Sequence, residues 1–370
     1  MYYFDNGIKP YTIFGGFHMK KLTALVLTMA ILSSAFLFSG CGAGDTAPAK
    51  SEKPAEPSAH EAVEVRIAHG LTETDPVHIG FEAFAKSLEA ADVNMTVKIF
   101  PNGQLSSSDR DLIEGVQFGE FDITSVAASN LANTIPEFFV FNANFLFDSL
   151  EDARDTLLGE KGQGFVEQVN ADSNTGIRTL GFFGGTMQSI WTTKKPLPDA
   201  ASFANVKIRS AENPINIAEL QALKATPTPV AWGELYTALQ QGTVDGLFSN
   251  RVTAVQQFGD VLKYGTFIGH NLYLPIPIAS QAFYDKLDAE QKVAFDEATK
   301  AACEAQWASV FELDESIVED LKARTEDGTL EYIFEMESEA LEAIKPLFID
   351  STEEMVAELC GEDVLAYWRG

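Results

Sequence analysis

In the stretch NVKIRSAENP, residues 205–214, Arg209 closes a short run in which Val206 and Ile208 alternate with charged residues. A guanidinium where a chain leaves a strand for a helix is either the solvent-facing side of a pleat or a partner for an anion, because its fork of donors matches a carboxylate bidentately. Alternation sets Lys207 and Arg209 opposite Val206 and Ile208, and spacing alone leaves both readings open. Other chemistry is sparse. The chain holds no GxSxG, no HExxH and no phosphate loop. Three of its five His, His18, His60 and His69, lie in or before the first strand of the body, which leaves little for a triad. Cys41, Cys303 and Cys360 show no CxxC or Cys/His metal spacing. The chain therefore reads as a binding protein without cofactor or metal, and an exported enzyme acting on an organic acid is the competing class. Cys303 and Cys360 could pair in an oxidising compartment or remain separate buried thiols, and sequence does not place their Cα atoms.

The elements that must position Arg209 begin well inside the chain. Of 370 residues 46% are hydrophobic, enough for a sizeable core and two domains. Lys20 and Lys21 precede the apolar run Leu22–Phe38, which ends in FSGC at Cys41. This is an export signal, with Met19 the expected true start and the upstream residues a misassigned extension. FSGC resembles a lipobox, with Phe38 where Leu is usual, so Cys41 is the expected lipidation site and the protein is expected to be extracytoplasmic and lipid-anchored. Residues 42–61 are rich in Ala, Pro and charge and read as a flexible tether. Removing residues 1–40 leaves 23 basic against 53 acidic residues, a net charge of −30. Such a body repels nucleic acid and anionic lipid, and any anionic ligand needs a local positive site.

From residue 62 strand-like and helical stretches alternate, which predicts α/β units with mainly parallel sheets. Val63–Ala68, Thr96–Phe100 and Phe121–Val126 read as strands, Val77–Ala91 as an amphipathic helix, and Ser108 with Asp111 as the cap of a helix over Asp109–Phe118. Glu151–Asn170 reads as one helical region, and TGIRTLGFF, SIWTT, VKIRS and TVDGLFS as extended. Ile215–Lys224, Trp232–Gln241 and nearly all of 288–367 except LEYIFE read as helix. Ligands of open α/β sheets bind beyond the carboxyl ends of strands, where His69, Pro101, Arg209 and Asn250 fall.

Five blocks in order, RIAHGLTETDPVHIGFEAFAKSLE, VKIFPNGQLSSSDRDLIEGVQFGEFDIT, NFLFDSLEDAR, VKIRSAENP and PVAWGELYTALQQGTVDGLFSN, resemble the extracytoplasmic solute receptors of TRAP transporters, from about Glu64 to the C-terminus. The resemblance implies a two-lobed clamp of the periplasmic binding protein class, with crossover hinge strands and a long helix bracing the hinge. Lobe I would hold residues 62–185 and 274–310, and lobe II residues 186–273 and 311–370. It implies capture of a small organic acid by clamp closure and delivery to an ion-gradient-driven permease, with a receptor serving a sensor kinase as the alternative. Arg209 matches the family's carboxylate-binding Arg. A second Arg common in the family falls at Ser189, so a two-Arg grip is not expected. Either Ser249 or Asn250 would fill the role of the Asn found after VDG. Phe248, Trp191 and then Trp232 are the aromatic candidates. His78 and Asn130 are candidates from the first lobe, and Asn213 is a ligand contact or the start of the next helix. One Arg among aromatics implies a monocarboxylate whose remainder packs on apolar surface, or a small acid held partly through water.

Overall fold

The computed structural model describes residues 60–172, 174–211 and 213–370. The expected leader, Met19, Cys41 and nearly all of the tether lie outside the described residues. The strands are β1 (Val63–Ala68), β2 (Met95–Phe100), β3 (Ile123–Ala127), β4 (Ile177–Thr179), β5 (Met187–Thr192), β6 (Lys207–Ser210), β7 (Thr226–Pro229), β8 (Gly246–Asn250), β9 (Tyr264–Leu272), β10 (Pro275–Ser280) and β11 (Glu331–Ile333). They form two sheets, ordered β2-β1-β3-β10-β4 and β11-β9-β5-β8-β6-β7.

Each sheet is built locally by the expected α/β logic. Between β1 and β2 the helix Pro76–Ala90 is capped by Asp75, whose carboxylate accepts from Val77 N at 2.9 Å, and Pro76 sits in the first turn where it forfeits no bond. The helix buries Phe81, Phe84 and Leu88 against Val65 and Ile67 of β1. Each such side chain contributes about 1.5–3 kcal/mol. The helix Asp109–Phe118 is capped by Ser108 and ends at Gly119, whose φ of 73° suits a residue without Cβ.

The sheets are mixed rather than mainly parallel. β1, β2 and β3 run parallel, but β10 lies antiparallel to β3 and β4, and β5 antiparallel to β8 and β9. The cause is the crossover: the chain leaves the first sheet after β4, builds the second, and returns through β9 and β10 from the opposite end. The region 151–170 is two helices, Leu150–Leu158 and Glu160–Asp172, divided at Gly159, where a Cβ would lie 2.5 Å from the Asp155 carbonyl.

The helix Ala289–Glu326 braces both lobes. Its 38 residues span about 57 Å. Phe295, Ala298 and Cys303 pack with β1, and Ile317 and Leu321 pack with Trp191 and Leu247 of the second sheet. The segment expected to belong wholly to lobe II divides in two. In helix Ser338–Cys360, Ile344 and Phe348 join Ile208 of the second sheet, whereas Val356, Cys360 and, beyond them, Trp368 join Phe138 and Phe141 of the first. A single 23-residue helix is long enough to reach both cores. Cys303 and Cys360 are free, buried thiols in separate clusters. Among the described residues no helix is long and apolar enough to cross a membrane.

Candidate functional site

The carboxyl ends of β3 and β6 face one another across a cavity of ≈ 120 Å³. At about 30 Å³ per water that is room for about four waters, or for one small acid. Arg209, the third residue of β6, lines it and is half-buried. Its Nε donates to Val230 O at 3.0 Å, and its guanidinium carbon lies 5.6 Å from the Trp232 ring centroid. Backbone and aromatic ring thus hold the fork from one side. Its charge reaches Asp109 and Tyr273, which line the same cavity.

Asp109 opens the helix Asp109–Phe118, and its Oδ2 accepts from Asn130 Nδ2 at 2.7 Å and Ala127 N at 3.0 Å. Burial raises the Asp109 pKa, against the pull of those bonds and of Arg209. Asn130, a predicted site residue, therefore lines the cavity with its amide committed to Asp109. On β8, Phe248, Ser249 and Asn250 all line the cavity. The Asn250 side chain also caps the next helix, accepting from Thr253 N at 2.9 Å and donating to Thr253 Oγ1 at 2.9 Å. Trp232 lines the cavity beneath Arg209 and packs edge-on to Phe258 at 5.3 Å.

Four other predicted residues sit outside the lining. Trp191 is fully buried, packs on Tyr332 at 5.1 Å and donates its indole N–H to Ser249 O at 3.1 Å. Ser189 is also fully buried, with its Oγ 2.8 Å from the Tyr332 hydroxyl. The neighbouring Gln188 lines the cavity instead, at an irregularity in the β5–β9 register between Met187 and Ser189. Counting back from Arg209 cannot detect such a bulge, because one extra residue exchanges the two faces of a strand. His78 is buried outside the lining, its Nδ1 3.0 Å from His69 Nε2. Asn213 caps the helix Pro214–Ala222 through Ile215 N at 2.8 Å, and its Nδ2 donates across the lobes to Ser129 O at 2.8 Å. It ties the lobes together beside the cavity.

Sequence reasoning missed several lining groups. Glu219 is buried, its Oε1 accepting from Asn144 Nδ2 at 2.9 Å and its Oε2 from Asn216 Nδ2 at 3.2 Å. Burial pushes its pKa to about 7. A signal existed, since Glu219 stands four residues after the buried Ile215 and so shares its helix face. His270 of β9 is buried between Phe348, stacked at 4.4 Å, and Phe248 at 4.8 Å. Burial lowers its pKa to about 3, leaving the ring neutral. Ser125 and Ser210, from opposite lobes, line the cavity with hydroxyls that have no hydrogen-bond partner. The remainder of a ligand therefore meets many polar groups, beside the aromatic faces of Trp232 and Phe248. Among the described residues no group of three or more His, Cys, Asp or Glu side chains is placed to hold a metal ion.

A family model for bacterial extracellular solute-binding protein, family 7 (DctP) matches residues 67–357. A solute-binding protein of Verminephrobacter eiseniae is 30% identical over 263 residues, covering 70% of this chain and 77% of its own. A TRAP periplasmic solute binding protein from Polaromonas sp. JS666, bound to D-erythronate, is 25% identical with a TM-score of 0.74, over 84% of this chain and 99% of that one. The sugar acid binding protein DctPAm from Advenella mimigardefordensis, in complex with galactonate, is 26% identical with a TM-score of 0.74 over the same shares.

Proposed function

The chain belongs to bacterial extracellular solute-binding protein family 7, and from that footing we propose that it captures a small organic acid between its lobes and delivers it to a TRAP permease in the membrane. Arg209 takes the carboxylate. The observation that carries this reading is its half-buried guanidinium at the strand exit, lining the cavity between the lobes. The solved relatives named above, which hold acids in the same fold, support it. A carboxylate that meets the guanidinium fork in a closing, water-excluded cleft gains a bidentate, charge-assisted contact that the open cleft does not offer. The acid therefore favours the closed clamp by its differential affinity for that state. Asn213 donates to Ser129 O across the lobes and Gly233 lies close to Ser107, contacts suited to holding a closed clamp. Lipidation at Cys41 keeps the receptor beside its permease on the outer side of the membrane. Ligand is handed over unchanged, by a receptor rather than an enzyme.

The test is a thermal-shift screen of the purified protein against small organic acids, since a ligand that binds only the native state raises its Tm. At least one acid is expected to shift wild type by several degrees, and Arg209→Ala to lose the shift while keeping the fold. Full affinity in the variant, or an acid consumed in the mixture, would overturn the reading.

A further inference from the structure

The cavity holds more acid than a site for anions needs. Besides Asp109, Glu219 presents a carboxyl that is 2% exposed, and both of its hydrogen-bond partners, Asn144 and Asn216, are neutral amides. A carboxylate offers about four acceptor positions, so two remain after the amides are served. A buried carboxylate without a cation repels a second anionic group and accepts from a donor. An independent observation points the same way. Ser125 Oγ from the first lobe and Ser210 Oγ from the second are each more than nine-tenths buried, line the cavity and lack a partner. Buried hydroxyls are normally satisfied, so these are positions where a ligand, or the water it displaces, supplies the bond.

Resting on the reading of Arg209 as the carboxylate contact, we propose that Glu219 is a specificity-determining residue. It accepts a hydrogen bond from a hydroxyl or ammonium group of the ligand and rejects a second carboxylate, so that the site selects acids with one carboxylate and several donors. Ser125 and Ser210 hold further hydroxyls of the same ligand from either lobe. Among the described residues, the charged and titratable groups sharing the cavity with Glu219 are Arg209 on β6, Asp109, His270 on β9 and Tyr273. From the C-terminal helices, Thr352 Oγ1 meets Asn144 Nδ2 at 3.2 Å and the Arg369 guanidinium donates to Asn144 O at 3.1 Å.

Calorimetric titration of the protein with gluconate, glycerate, malate and succinate tests this. Wild type at pH 8 is expected to bind at least one of the hydroxylated monocarboxylates 100-fold or more tightly than either dicarboxylate. Glu219→Gln should shrink that ratio at least tenfold, tightening the dicarboxylates while weakening the monocarboxylate. Lowering wild type from pH 8 to pH 6, where Glu219 gains a proton, should shrink it in the same direction without a mutation, which keeps the test decisive if the variant folds poorly. A wild type that prefers dicarboxylates, or a ratio unmoved by both changes, overturns the role of Glu219 while leaving acid capture at Arg209 intact. Binding by none of an extended set of organic acids overturns the acid-binding reading itself.

Discussion

Two buried polar clusters lie close together in this fold, and they differ in one respect. Leu71 lines the cavity, and its N–H donates to His69 Nδ1 at 3.3 Å, which fixes the tautomer so that His69 Nε2 donates to His78 Nδ1 at 3.0 Å. His78 Nε2 then faces the Glu82 carboxylate at 3.6 Å. Each ring nitrogen in that chain has a neighbour. In the cavity wall, by contrast, the hydroxyls of Ser125 and Ser210 and the Nδ1 of His270 have none. The first cluster finds its partners within the chain and the second does not. Satisfied polar groups hold a fold together, and orphaned ones beside a cavity mark where something else binds.

The largest effect that could break this contrast is the truncation of His69. His69→Ala leaves Leu71 N–H and His78 without their partner and opens a void, costing about 3–4 kcal/mol of stability. Denaturant unfolding should show that loss, with ligand affinity in the surviving native fraction changed less than about threefold. Burial holds His69 neutral, its pKa lowered to about 3. A loss of affinity larger than the loss of stability would make the His pair part of the site.

Glu219 gives the next largest effect, and it has a sign. Its carboxyl titrates near 7 in the folded protein and near 4.5 when unfolded. Between those values the native state holds a proton that the unfolded chain has released. Stability from this group is therefore complete below about pH 4.5 and is lost as pH rises through 7, by about 3 kcal/mol. Glu219→Gln has no such titration. The variant should gain about 3 kcal/mol relative to wild type between pH 4.5 and 8, as read from parallel urea titrations. Asp75, raised to about 6, and His69 and His270, lowered to about 3, titrate in both proteins and cancel in the difference. A difference that stays flat with pH would mean Glu219 is solvated and outside the cavity wall.

The contrast also explains what could be read from the chain. The helices Pro76–Ala90 and Asp109–Phe118 carry their own caps, Asp75 and Ser108, and their own apolar stripes, so local sequence specifies them. Arg209 stood out because a cation at a strand exit is a local feature and because its surroundings resemble a known family. The rest of the site depends on which strands cross between lobes and where a register slips. Gln188 replaces Ser189 at the cavity through one irregularity in β5 pairing, and Trp191, on the same strand, turns to Tyr332. His270 reaches the cavity only because β9 carries the chain back toward the first sheet. Whether a Ser is satisfied depends on neighbours brought in by the fold from other strands and from the other lobe, and no period in the sequence encodes that.

The smallest expected change is the one that sharpens the comparison most. Ser210→Ala removes a buried hydroxyl that has no partner, so no bond is broken and one desolvated polar group disappears. Stability should stay within about 0.5 kcal/mol of wild type or rise slightly. Affinity for a hydroxylated acid should fall about tenfold, the worth of one hydrogen bond made in a water-excluded site. A fully bonded serine would give the reverse pattern, with stability lost and binding spared. Calorimetry and denaturant unfolding on the same preparation separate the two, and a Ser210→Ala protein that is less stable yet binds unchanged would place Ser210 with the His pair as part of the scaffold.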